Sequence, residues 1–154
     1  MPIIRILLAA SVALAVAGTA QAAEDDGLIR KESAHGVYVT IDKFKAELEA
    51  RGLTVFTDID HSAGAARAGM ELRPTRIVIF GNPELGTPLM QAAPSMAIDL
   101  PQKALAYRDD DGNVWLVYND PDYLKTRHGL EGQDEVLERV KSALDAMTDA
   151  ATRP

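Results

Sequence analysis

Lys103-Ala104-Leu105-Ala106-Tyr107-Arg108-Asp109-Asp110-Asp111-Gly112-Asn113-Val114-Trp115-Leu116-Val117-Tyr118 is the stretch that decides the fold class. Two apolar and aromatic runs, Lys103 to Arg108 and Val114 to Tyr118, flank an acidic turn containing Asp-Gly, the pattern of a β-hairpin. A hairpin pairs consecutive strands antiparallel, whereas a doubly wound sheet needs a crossover helix between each pair. Upstream, Thr75 to Phe80 is apolar on both faces at its end and reads as a central strand, broken at once by Gly81-Asn82-Pro83. Leu53 to Asp60 is β-branched and aromatic, with Leu53, Val55, Thr57 and Ile59 on one face of a further strand. Leu28 to Ser33 reads as an edge strand.

The helices fall between and after these strands. Val37, Ile41, Phe44 and Leu48 form one stripe of a four-turn helix that Gly52 closes. Ala63 to Met70 predicts a short helix ended by Gly69. Glu84 to Ala92 predicts another, interrupted by Gly86 and Pro88 and stopped by Pro94, with Met96 to Pro101 as an apolar connection. Asn119-Asp120-Pro121 opens a helical turn that runs to His128-Gly129. Gln133 to Met147 carries the stripe Val136, Val140, Leu144 and Met147. The order β-α-β-α-β-α-β-β-α-α describes one small α+β domain over residues 23–154, a sheet with a C-terminal β-hairpin and packed helices.

The first 22 residues read as an address. Arg5 and the amino terminus precede an apolar run from Ile6 to Val16, and Ala20-Gln21-Ala22 is a small-x-small cleavage pattern. The apolar run stops short of the ~20 residues a membrane span needs. A signal peptide cleaved after Ala22 is therefore expected, giving a periplasmic or secreted protein without a stable membrane anchor. Removing 22 of 154 residues, Arg5 among them, leaves 132 and moves the formal charge from −7 to −8. That acidity excludes broad nucleic-acid binding, which needs clustered Lys and Arg. The lack of any Cys excludes disulfides, thiolate metal sites and cysteine nucleophiles.

Four connections carry a shared set of strings: Phe80-Gly81-Asn82-Pro83, Gly86-Thr87-Pro88-Leu89-Met90-Gln91, Asp99-Leu100-Pro101 and Tyr118-Asn119-Asp120-Pro121. Together with Ile59-Asp60-His61 and Leu72-Arg73-Pro74-Thr75, they resemble family 302 of the bacterial domains of unknown function over Ile29 to Leu144. The resemblance implies a small α+β domain, sometimes secreted, that forms a homodimer. It implies no reaction.

The candidate site residues are Asp60, His61, Asn82, Tyr118 and Asn119, all at strand ends, where rigid elements present side chains to ligands. If those ends lie on one side of the sheet, His61 is a proton donor or acceptor, Asp60 orients it, and Asn82, Tyr118 and Asn119 supply neutral hydrogen bonds. The alternative is local: Asp60 caps the next helix, and Asn82 and Asn119 form turns before Pro83 and Pro121. Met70, Met90 and Met96 with His61 would make a soft copper site, but without a short repeat they read as core. His35 and His128 read as helix-end residues. There is no zinc-binding His-Glu-x-x-His, nucleophile elbow or phosphate loop. Counted as a calcium loop from Asp109, the sixth and twelfth places hold Val114 and Asp120 instead of Gly and Glu. No cofactor is expected. Three function classes fit: a secreted module that binds or senses an unknown small molecule, a small cofactor-free enzyme using His61 and Asp60, and a structural partner-binding subunit.

Overall fold

The computed structural model describes residues 26–154; the segment read as a signal peptide lies outside them. Five strands, β1 (Leu28–Ser33), β2 (Thr54–Asp60), β3 (Thr75–Gly81), β4 (Gln102–Arg108) and β5 (Val114–Asn119), form one sheet in the order β1-β5-β4-β3-β2. Every neighbouring pair is antiparallel. The hairpin β4–β5 closes with Arg108 opposite Val114. Asp109 holds its turn: its carboxylate accepts from the Asp111 and Asn113 N–H groups and, at 2.7 Å, from Trp115 Nε1–H. That carboxylate is occupied as turn scaffolding.

Helices α1 (Val37–Ala50) and α5 (Asp134–Thr152) cover one face of the sheet, giving the two-layer α+β arrangement. The α1 stripe is the core: Val37, Ile41, Phe44 and Leu48 are all buried, and Phe44 meets Phe80 of β3 edge-to-face at 5.2 Å. Val78, Phe80, Ala104, Ala106, Val114, Leu116 and Tyr118 join this cluster from the sheet. A second cluster gathers Leu89 of α3 (Pro83–Ala92), Met96 of the 3-10 turn Pro94–Ile98, Leu124 of α4 (Pro121–His128), Leu130, and Leu137 of α5. The remaining helix, α2 (His61–Arg67), follows β2.

Two expectations change. The pairing of β2 with β3 slips between Val55 and Thr57, so the strand does not keep one face from Leu53 to Ile59. Side chains alternate, and one extra residue exchanges the faces. Asp58 therefore lies opposite Val78 on the helix side, where Arg76 grips it with two hydrogen bonds of 2.7 Å and Lys45 of α1 adds one of 2.9 Å. Ile59 turns outward and is 41% exposed. The last helix also runs beyond Met147 to Thr152, because Thr148 and Thr152 return their hydroxyls to the Leu144 and Thr148 carbonyls and can be buried.

One glycine is demanded by its surroundings. Gly27 has φ +71°, and a Cβ there would stand 2.3 Å from the Tyr123 ring, so Tyr123 packs directly on its backbone.

Candidate functional site

Strand direction sorts the candidate residues before any side chain is considered. β3 and β5 run the same way, since each is antiparallel to β4 between them, so Asn82 and Asn119 emerge at the same end. β2 runs opposite to β3, pairing Asp60 with Arg76 and Thr54 with Gly81. Asp60 and His61 thus sit at the other end, about five residues of strand and roughly 17 Å away at ~3.3 Å per residue. The sheet does not bring the five candidates into one cleft.

Each has a local setting. Asp60 is the N-cap of α2: its carboxylate accepts from Ala63 N–H at 2.8 Å, Ser62 Oγ–H at 2.6 Å and Tyr38 O–H at 3.1 Å. These donors, Ser62 first, pull its pKa down to about 2. His61 opens α2 and is exposed. Asn82 is the N-cap of α3 and accepts from Glu84 N–H at 2.8 Å. Tyr118 faces the helices and is 3% exposed; burial raises its pKa, only partly countered by the Thr148 hydroxyl. Asn119 pairs with Leu28 at the edge of β5, while the cap of α4 is its neighbour Asp120, which accepts from Asp122 N–H. The methionines do not gather around His61: Met96 is buried in the second cluster and Met70 is 62% exposed.

A wider, open recess lies beside α2 against Ser62, Met70 and Arg73, and a narrower apolar one lies at the Asn82 end. A cavity of about 210 Å³ opens between the two apolar clusters. Phe80, Leu144 and Met147 wall it from the first cluster, and Leu89, Met90 and Leu100 from the second. Leu53, Leu85, Val140 and Ala143 extend this apolar wall, and the exposed residues Phe56, Pro83, Thr87 and Pro101 mark the mouth. Among the described residues, none that lines it is charged. Asn82 lines it, but the Asn82 Oδ1 is already taken by the α3 cap. Gln102, the first residue of β4, lines it too, while its Oε1 is sealed in the packing beside it, without a hydrogen-bond partner among the described residues.

Sequence reasoning missed Gln102. A polar residue beginning a strand looks like an ordinary strand end, and only the tertiary packing that seals it distinguishes this one. It also missed a side-chain chain on the adjoining segments. The side chain of His128 in α4 is 4% exposed, with Nδ1 2.9 Å from Ser95 Oγ and Nε2 2.7 Å from Asp99 Oδ2. Arg127 stands 3.6 Å from the same carboxylate. This chain ties the last turn of α4 to the 3-10 turn that carries Met96, and none of its members lines the cavity.

Similar proteins bear on both fold and family. A fluoride-specific ion channel, FluC 1 of Brucella suis, is 49% identical over 106 residues, which is 69% of this chain and 42% of that protein. FluC 1 of Brucella abortus gives the same identity over 39% of its length. The chain thus spans less than half of these curated relatives. Among the described residues, no helix is long and apolar enough to cross a membrane. The crystal structure of an uncharacterized conserved protein DUF302 from Bacillus stearothermophilus superposes with a TM-score of 0.73 at 17% identity, over 82% of this chain and 98% of that one. It shares the fold. The family described as "Domain of unknown function DUF302" matches residues 29–147, and the chain belongs to that family.

Proposed function

We propose that this chain is an exported binding or sensing module whose cavity at the Asn82 end of the sheet takes a small, largely apolar molecule. The carrying observation is the cavity itself. At about 210 Å³ it exceeds the ~150 Å³ of an apolar protein cavity that admits benzene. An apolar recess of this kind excludes water that cannot hydrogen-bond there, and a ligand recovers the dispersion contacts its walls lack. The Brucella relatives add support of a different kind: a region like this one lies inside longer proteins named for ion transport, as a module would. The competing reading, acid–base catalysis at His61, has less behind it, because Asp60 is committed to a helix cap and His61 is exposed without a hydrogen-bond partner among the described residues.

Toluene is the probe that tests the cavity. Titrated into the folded protein, it should raise the melting temperature in proportion to RT ln(1 + [L]/Kd) and shift the methyl resonances of Leu89, Leu144 and Met147. Ala143→Leu, which places extra methyl groups in the lining, should weaken toluene. Resonances that stay put up to saturating toluene would refute the site. Export is tested separately, by expression of the full chain in a host with a periplasm: a mature mass beginning at Ala23 is expected, and an uncleaved cytoplasmic product would overturn it. Sedimentation of that mature protein tests the homodimer, which a concentration-independent monomer would exclude.

A further inference from the structure

We infer that Ser95 is an activated nucleophile, and that Ser95, His128 and Asp99 form an acyl-transfer site for small uncharged esters, separate from the cavity. The His128 ring bridges the other two: Nε2 lies 2.7 Å from Asp99 Oδ2 and Nδ1 lies 2.9 Å from Ser95 Oγ. A carboxylate has no proton to give, so in the neutral ring Nε2 carries the hydrogen and donates it. The Nδ1 lone pair then faces the Ser95 hydroxyl. This is what a hydroxyl needs to become a nucleophile: a base within reach, held in one tautomer by a third group. The two ring nitrogens exchange the places they hold in serine proteases, but the roles are the same. Arg127, 3.6 Å from the same carboxylate, gives it a positive partner, so a neutral imidazole leaves no buried charge unpaired.

Exposure divides the three in the same sense. The side chains of His128 and Asp99 are 4% and 12% exposed, whereas Ser95 stands at the surface. Base and positioning carboxylate are thus shielded while the nucleophile is open to substrate. Ser95 and Ile98 lie three residues apart in the 3-10 turn, a spacing at which side chains eclipse. Ile98 is 72% exposed, so it offers an apolar contact beside Ser95 and favours an acyl group without charge. In the reaction, Oγ bonds to the ester carbonyl carbon as its proton passes to Nδ1. The bond to the leaving oxygen breaks, and that proton departs with the alcohol. Water, deprotonated at the same nitrogen, then cleaves the acyl-serine, and the proton returns to Oγ as the carboxylic acid leaves.

p-Nitrophenyl acetate and an alkyl fluorophosphonate test this on the mature protein, with p-nitrophenolate release followed by absorbance and adducts located by peptide mass spectrometry. Both reagents should modify Ser95, and Ser95→Ala should abolish that adduct. Ser62, whose hydroxyl donates to Asp60 without an imidazole, is the internal control and should stay unmodified. His128→Ala should slow modification of Ser95 at least a hundredfold, the lower bound for a general base. His128→Gln, which removes the base but keeps a polar side chain, is the second variant should alanine disturb α4; circular dichroism checks the fold of each. Asp99→Asn should slow the reaction at least tenfold and lower the midpoint of its rise with pH, because the imidazolium loses its anion and keeps only Arg127 beside it. An unmodified parent protein, equal modification of Ser62, or a Ser95 adduct that forms as fast in the folded His128 variants would overturn the inference and reduce the three side chains to a structural tie. None of these results bears on the cavity, which toluene tests separately.

Discussion

Gly86→Ala should make the protein more stable and its cavity less welcoming at the same time. Gly86 lies inside α3, where glycine costs about 1 kcal/mol relative to alanine through backbone entropy. The added Cβ would meet Leu100 Cδ1 at 3.7 Å and Met90 Cε at 4.0 Å, ordinary contact distances, so nothing must move. Both neighbours line the cavity, and the site is only half-buried, so the methyl adds half of the ~0.8 kcal/mol of a fully buried methylene. The sum is about 1–1.5 kcal/mol, and the melting temperature should rise by roughly 3–6 °C. Urea denaturation followed at 222 nm measures the first, a thermal scan the second, and toluene titration the loss of room. Gly64→Ala in α2 is the control: it shares the helical gain but lies away from the cavity. A less stable Gly86→Ala protein would mean that α3 does not pack against Leu100 as described. A stabilised one that binds toluene unchanged would mean that the ligand does not reach the α3 wall.

Three further substitutions probe the rest of the molecule. Asp58→Ala removes the partner that Arg76 and Lys45 share. Burial alone would raise the Asp58 pKa, but the two cations outweigh it and the net shift is downward. About 1–2 kcal/mol should be lost near neutral pH, below the roughly 3–5 of a fully buried pair, because both side chains keep about a fifth of their exposure. Since the folded pKa is depressed, this contribution is complete above the unfolded value of ~3.9 and disappears as pH falls through the folded one. Urea midpoints from pH 7 to pH 3 should therefore converge for parent and variant; a constant gap would contradict the ion-pair account. His61→Gln should leave probe affinity unchanged and stability within about 0.5 kcal/mol, as for other exposed positions. A tenfold loss of binding would move the ligand to the opposite end of the sheet. His128→Ala should cost about 1–2 kcal/mol by removing the Nε2 partner of the buried Asp99 carboxylate, which Arg127 only partly replaces, readable as a lower urea midpoint, and an unchanged midpoint would show that the α4 tie carries no stability.

The architecture was legible because its signals are local. An Asp-Gly turn between apolar runs and a stripe at helical spacing depend on neighbours in sequence, and both the β4–β5 hairpin and α1 stand where those signals put them. The slip in β2 was illegible for the opposite reason: nothing in Val55-Phe56-Thr57 marks an extra residue, and only pairing with Val78 and Phe80 reveals which face Asp58 takes. The candidate residues suffered at one more remove. Strand ends were read as places where rigid elements present side chains to a ligand, but which end of the sheet each occupies is a property of strand direction. Asp60 and Asn82 each end a strand, and because those strands are antiparallel neighbours they face apart.

The cavity had no local signature at all, and its position explains why. Helices α1 and α5 cover the middle of the sheet, and the first core cluster ends at Phe80, the last inward-facing residue of β3. The chain then turns at Gly81-Asn82 into α3, whose cap fixes its start and whose Pro88 limits how it packs. Its apolar face joins Met96, Leu124 and Leu137 in a second cluster, so the two cores approach each other across Val140, Ala143 and Leu144 of α5. Small or slender residues at that seam, Gly81, Gly86 and Ala143, leave the space that larger ones would fill. Read singly, each of these is an unremarkable core or loop position. A recess assembled from four separated segments becomes visible only after folding.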